Sequence, residues 1–284
     1  MSAGELYLNV ALHREFAQQN LPKSRSVNMA HQAEQDCVAI SCQNCGLHQL
    51  CLPMGLDSPD TALLDRYVKR KHLLKRGEVL FRTGEPFTSV YAIRSGSVKT
   101  SISTDDGRLQ ITGFHVPGEL LGLSAIDEKR YNCEAVALET TSVCKISLEC
   151  FEELAQQIPS VHYQMLRMMS KEIKHNQELM LLLGRKNAEE RLATYLLSLS
   201  RRFAMRNYSS TQFNLSMSRG DIGNYLGIAE ETVSRIFTRF QEEGVIASER
   251  RHIILHDLIR LSAIAREPYT ARVIPLLRPS HHPL

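Results

Sequence analysis

Between residues 78 and 147 the apolar positions come in short runs that alternate with polar ones and break at glycine. The runs are "EVLF", "SVYAI", "SVKTSIST", "LQITGFHV", "CEAVAL" and "SVCKIS", and Gly84, Gly96, Gly107 and Gly118 stand among the breaks. Branched and aromatic residues suit a pleated surface, and turns at this spacing predict an antiparallel barrel or roll over 61–158. The "DDGR" stretch at 105–108 predicts a hairpin turn, because Asp and Gly accept positive φ.

At residue 159 the period changes. "PSVHYQMLRMMSKEIKHNQELMLLLG" reads as one helix over 159–186, with Pro159 suited to its first turn and Gly184 to its stop. Leu166, Met169, Ile173, Asn176, Met180 and Leu183 recur at alternating spacings of three and four, which is a heptad seam. A helix lying on its own barrel could show the same stripe. The length of the seam, and the single polar Asn176 within it, favour pairing with a second copy, since one polar seam residue sets register and oligomer state.

A third texture follows at 217–246, "MSRGDIGNYLGIAEETVSRIFTRFQEEGVI". Ser218 can cap a short helix carrying Ile222, Tyr225 and Leu226, and Gly227 supplies a tight turn. A second helix then starts near Ala229, with Glu230 and Glu231 well placed in its first turn. Val233, Ile236, Phe237 and Phe240 form its buried face. Two short helices about a glycine turn predict a helix-turn-helix, whose second helix enters the major groove of DNA. Glu231, Ser234 and Arg235 are then the readers: glutamate can accept from cytosine N4, and arginine can fork onto guanine O6 and N7. Glu231 and Arg235 are also spaced for an ordinary surface ion pair, and only the preceding helix and turn favour base reading. "RHIILHD" suits a β-wing that places Arg250 and Arg251 near phosphates.

Composition narrows the classes. The chain has 284 residues, 43% hydrophobic and 23% charged, enough for about two domains, and no run is long enough to span a bilayer. Its N-terminal residues do not form a secretory signal, which implies the cytosol and reduced thiols. A net charge of +3 requires any nucleic-acid contact to be local, and two basic clusters are available: Arg201, Arg202 and Arg206, then Arg250 and Arg251. Residues 1–36 are polar and aperiodic, as expected of a mobile arm, and 266–284 is a proline-containing tail expected to lack a fold. No phosphate loop, metal-type histidine pair or nucleophilic triad supports an enzyme. A lone histidine such as His115 fits strand packing better than catalysis.

One stretch remains, "CQNCGLHQLC", which places Cys42, Cys45 and Cys51 together in a chain of seven cysteines. A disulfide uses two thiols and a metal centre normally four, so a fourth ligand must come from elsewhere. Structural zinc is one reading, but the gap from Cys45 to Cys51 is wide for a zinc knuckle.

Taken together, a glycine-punctuated roll, a long seam helix and a C-terminal helix-turn-helix resemble the cyclic-AMP receptor protein superfamily of bacterial regulators. The similarity is strongest to its oxygen-responsive FNR branch. It rests on "CQNCGLHQLC", "VYAIRSGSVK", "QITGFHVPGELLG", "LLLGRKNAEERLA", "LSRRFA" and "MSRGDIGNYLGIAEETVSR", and covers roughly 37–262. The resemblance implies an α+β fold: a β-roll (a jelly roll of the cyclic-nucleotide-binding type), a dimerisation helix and a winged helix-turn-helix over 187–265. It also implies a [4Fe–4S] cluster bound in a loop over 37–60 by Cys42, Cys45 and Cys51, with Cys144 in "ALETTSVCKI" as the distant fourth ligand. Cys133 and Cys150 are the competitors, read as structural, and Cys37 is read as non-ligating. The implied function is an oxygen-sensing regulator, dimeric without oxygen, that binds palindromic TTGAT-type double-stranded DNA and contacts RNA polymerase, with the 105–108 turn as a candidate surface. The branch often carries an acid on the seam helix, and the neutral Asn176 here implies a cluster-free dimer that is less disfavoured. Cyclic-nucleotide control is the rival: Gly118 and Glu119 fit it, but Tyr131-Asn132-Cys133 stands where an arginine and a hydroxyl residue would hold the phosphate.

Overall fold

The computed structural model describes residues 41–104 and 106–268. The arm at 1–36, Cys37, Asp105 and residues 269–284 of the tail lie outside the described residues.

The first described segment is a run of turns, followed by helix α1 (Ser58–Tyr67), whose N-cap Asp57 accepts from the Asp60 amide. Eight strands then form the roll: β1 (Lys69–Leu74), β2 (Val79–Phe81), β3 (Ser89–Ser95), β4 (Val98–Ser103), β5 (Leu109–His115), β6 (Leu120–Leu121), β7 (Glu134–Ala137) and β8 (Thr141–Ser147). They make two antiparallel four-stranded sheets, ordered β1-β8-β3-β6 and β2-β7-β4-β5. Ile93, Val98, Ala135 and Val143 fill the space between the sheets at 1% exposure or less. Each expected apolar run became a strand. β1 was not expected, because "KRKHLL" carries four basic residues and pairs with β8 through its backbone. α1 and α2 (Leu148–Gln157) were not expected either, although Ser147 caps α2 by accepting from the Cys150 amide.

Helix α3 (Pro159–Arg185) starts at the anticipated proline but runs through Gly184, which lies in open space. The stop comes instead from extended Lys186 and from Asn187, which caps α4 (Ala188–Ala204) in a capping box with Glu190. The C-terminal unit adds β9 (Gln212–Asn214), α5 (Arg219–Leu226), α6 (Glu230–Glu242), β10 (Ile246–Glu249), β11 (His252–Leu255) and α7 (Leu258–Ala265), with sheet order β10-β11-β9. Its core joins Leu192, Leu196, Ile222, Leu226, Val233, Phe240, Ile253 and Leu261, all at 0% exposure. Each such side chain contributes roughly 1.5–3 kcal/mol by leaving water.

Candidate thiol site and nucleic-acid interface

The turns at 41–56 wind as a chain of short backbone bonds: His48 N donates to Cys45 O at 3.0 Å, Cys51 N to Leu47 O at 3.1 Å and Met54 N to Cys51 O at 3.0 Å. Leu52 and Leu56 anchor the segment in the roll core, at 1% and 8% exposure. At its start, Cys42 N donates to Asp65 Oδ1 of α1 at 2.7 Å. Strand β8 alternates faces, so Val143 points inward at 0% exposure and Cys144, paired with Ala92 of β3, points to the covered outer face. Cys42, Cys45, Cys51 and Cys144 thereby line one pocket, walled by Leu47, Leu52, Leu64, Ala92 and Ile146, with His48 and Arg94 also on its lining.

Burial pushes the Cys51 thiol up to about 12, and the neighbouring Cys144, Cys42 and Cys45 act in the same direction. A thiolate there needs a positive partner, which a metal centre supplies. Among the described residues no three His, Cys, Asp or Glu side chains are grouped to hold a single ion. The competing cysteines lie elsewhere. Cys133 is buried in the roll, and its thiol is raised to about 11 by that burial and by Glu172. Cys150 sits in the first turn of α2.

Inside the roll, Tyr131 of the Tyr131-Asn132-Cys133 segment is buried at 3% exposure. Tyr131 stacks on Phe81 with centroids 4.0 Å apart, meets Phe87 edge-on, and donates from Oη to Ser89 O at 2.7 Å. Arg130 turns away, donating to Gly84 O at 2.7 Å. Glu119 is engaged by the C-terminal unit: Arg202 Nη2 reaches its Oε2 at 2.7 Å and Arg206 Nη2 its Oε1 at 2.8 Å. Burial works to raise the Glu119 carboxyl, but the two guanidiniums outweigh it and hold it at about 2. His115 is pushed down to about 4 by burial, and it shares a 3.0 Å hydrogen bond with Thr100. The cluster Arg201, Arg202 and Arg206 is therefore no DNA-facing patch, since Arg201 also pairs, with Glu267 at 3.2 Å.

The helix-turn-helix is assembled locally. Ser218 and Asp221 form a capping box at the start of α5, and Gly227, at φ 63°, closes it in the left-handed conformation a tight turn requires. Val233, Ile236, Phe237 and Phe240 bury one face of α6. Glu231, Ser234 and Arg235 are exposed on the other, and Arg235 leans on Thr232 Oγ1 at 3.1 Å. Arg250 and Arg251 form the exposed tip of the β10–β11 wing. Arg219 lies over the Phe237 ring and donates to Ser248 Oγ at 2.9 Å, tying the first helix to the second and to the wing.

Along α3, Leu166, Ile173 and Met180 are 50%, 58% and 73% exposed, and Asn176 is exposed with them. Met169 and Leu183 are half-buried. The seam is thus an apolar stripe facing outward from the single chain. No described helix is long and apolar enough to cross a membrane.

The contacts of Glu119 with Arg202 and Arg206 were missed in the sequence, as were Lys99 with Asp221 and the bonds of Asn224. A signal for the first existed: Tyr195, Leu199 and Arg202 share one stripe of α4, and Arg206 follows just past the helix end, donating to Arg202 O at 2.6 Å.

Two family models match the chain: a cyclic nucleotide-binding domain over residues 71–158 and a Crp-like helix-turn-helix domain over 190–264. The transcriptional activator protein Anr of Pseudomonas aeruginosa is 53% identical over 224 residues, 79% of this chain and 92% of the relative. The fumarate and nitrate reduction regulatory protein of Escherichia coli is 45% identical over 227 residues, 80% of this chain and 91% of the relative. Among solved structures, FixK2 from Bradyrhizobium japonicum is similar with a TM-score of 0.64 and 34% identity, covering 70% of this chain and 98% of its own.

Proposed function

The chain belongs to the Crp/FNR family of DNA-binding transcription regulators, and from that premise we propose that it is an oxygen-responsive regulator built around a [4Fe–4S] cluster. The observation that carries the reading is the convergence of Cys42, Cys45, Cys51 and Cys144 on one apolar pocket. A zinc ion needs its sulfurs around one point, each at about 2.3 Å. A four-iron cluster takes one thiolate per iron, and four thiols on one apolar lining supply that set. Bound there, the cluster supplies an oxidant-labile centre whose stability follows its hydrogen bonds and solvent access.

The chain's own residues carry the consequence. Cys144 is fixed in a central strand and the other three thiols sit on turns, so ligation ties the turns to the roll. Those turns also reach α3: Gly55 sits against the Gln164 amide, and Asp60 of α1 accepts from Ser160 Oγ at 3.1 Å. Release of the thiols therefore loosens what steadies the start of the seam helix. The outward stripe of Leu166, Met169, Ile173, Asn176, Met180 and Leu183 pairs with a second copy, and only a dimer reads two half-sites. Glu231, Ser234 and Arg235 read a palindrome of TTGAT type, and Arg250 and Arg251 approach its phosphates. We assign the protein to the cytoplasm, with RNA polymerase as its partner at the promoter.

The test is anaerobic purification, with iron and sulfide counted for wild type, Cys144→Ala and Cys133→Ala. Wild type and Cys133→Ala should carry four of each, and Cys144→Ala should carry far less. A full complement in Cys144→Ala overturns the ligand set.

A further inference from the structure

The strand β5 lies at the edge of its sheet, and an edge strand presents unpaired backbone donors and acceptors. Here the first helix of the helix-turn-helix meets that edge. The Asn224 side-chain oxygen accepts from Ile111 N at 2.6 Å, and its Nδ2 donates to Leu109 O at 2.7 Å. Gln110 Nε2 returns a bond to Asn224 O at 2.8 Å. One carboxamide thus takes the place of a neighbouring strand's peptide, a role that needs a donor and an acceptor fixed in one plane.

The contact is locked on either side. One turn earlier on α5, Asp221 receives Lys99 Nζ of β4 at 2.6 Å. Beyond the far end of β5, Glu119 holds Arg202 and Arg206, while Arg206 Nε donates to Pro117 O at 2.6 Å. Phe114 packs between them against Tyr195 and Tyr225. Arg206 is 3% exposed, and a charge so buried is compensated only when its partners are in register. The docked pose is therefore specific. It uses the back of α5 and leaves Glu231, Ser234, Arg235 and the wing tip exposed.

We propose that Asn224, Lys99 and Glu119 are positioning residues for DNA reading, which seat the helix-turn-helix on the edge of the roll in the pose that binds DNA. A dimer must present two readers at a fixed separation, and an unseated reader would lose affinity by the fraction of time it spends out of pose. The inference rests on the DNA-binding reading above.

The experiment uses the full chain loaded anaerobically and a duplex with two TTGAT half-sites. Wild type, Asn224→Ala, Lys99→Glu, Lys99→Arg and Glu119→Gln are compared for affinity, salt dependence, dimer fraction and cluster absorbance. Alanine favours a helix, so Asn224→Ala keeps the test sound even if Glu119→Gln fails to fold. Asn224→Ala should bind roughly tenfold more weakly, the size expected for two lost hydrogen bonds. Its salt slope, dimer fraction and cluster absorbance should stay at the wild-type values, whereas loss of a phosphate contact would lower the slope. Lys99→Glu should behave like it, and Lys99→Arg should restore binding. Wild-type affinity in both Asn224→Ala and Lys99→Glu, or tighter binding in either, overturns the seat while leaving the DNA-binding reading intact. Failure of wild type to bind the duplex overturns both.

Discussion

The thiol pocket and the reader helix are closed over very different ranges of chain. The reader is complete within 217–255: its cap, its glycine turn and its apolar face follow one another, and Ile222, Leu226, Val233 and Phe240 reach 0% exposure. The pocket takes three thiols from one run of turns and the fourth from a strand far along the chain. Apart from buried Leu52, Pro53 and Leu56 and the bonds of Cys42 and Gln43 to Asp65 and Ser58, the turns are secured by backbone bonds to one another. Regions with few buried apolar contacts open at a small fraction of the global stability. The helix-turn-helix is thus held by its own apolar core, whereas on the proposed reading the thiol turns are held by ligation as well.

The comparison breaks most directly in the core of the reader. Phe240 is fully buried, and Phe240→Ala should cost about 3–5 kcal/mol. Thermal unfolding should show an early transition with specific DNA binding lost, while iron content after anaerobic purification stays at the wild-type level. An equal loss of iron would mean that the two regions unfold as one, and the contrast drawn above would fail.

The same contrast governs what could be read from the sequence. The helix-turn-helix was legible because each of its signals acts on near neighbours: Ser218 on Asp221, Gly227 on its own backbone, Val233 and Phe240 on one face of one helix. The strands of the roll were legible wherever they alternate apolar residues. β1 was not, because its pairing with β8 is a backbone matter that charged side chains conceal. The fourth thiol could not be derived from spacing at all: three cysteines announce an incomplete site, but only the alternation of β8 decides that Cys144 faces the turns. The seat was hidden for a similar reason. Asn224 reads as an ordinary polar helix residue until a sheet edge is placed beside it.

A smaller change should sharpen the difference from the side of the pocket. Gly118 has φ +89°, and a Cβ there would stand 2.9 Å from Leu50 Cβ, next to Cys51. Gly118→Ala should cost about 1–2 kcal/mol in left-handed backbone alone. It should also push the turns away from the roll, so that visible absorbance bleaches faster in air than in wild type. Bleaching at the wild-type rate would show that the turns keep their place without the close approach at Gly118.

The smallest change acts at the start of α5. Ser218 Oγ accepts from Asp221 N at 3.0 Å, and Asp221 in turn accepts from Ser218 N at 3.0 Å. Ser218→Ala removes half of this box and should cost about 1 kcal/mol, whereas Ser218→Gly should cost only a few tenths. Asp221 is also the partner of Lys99, so the cap and the seat share one carboxylate. If the seat matters for reading, Ser218→Ala should weaken DNA binding by more in wild type than in Lys99→Glu, where Asp221 has already lost its partner on the roll. Equal losses in the two backgrounds would assign Ser218 to helix stability alone, because independent sites add and coupled ones do not.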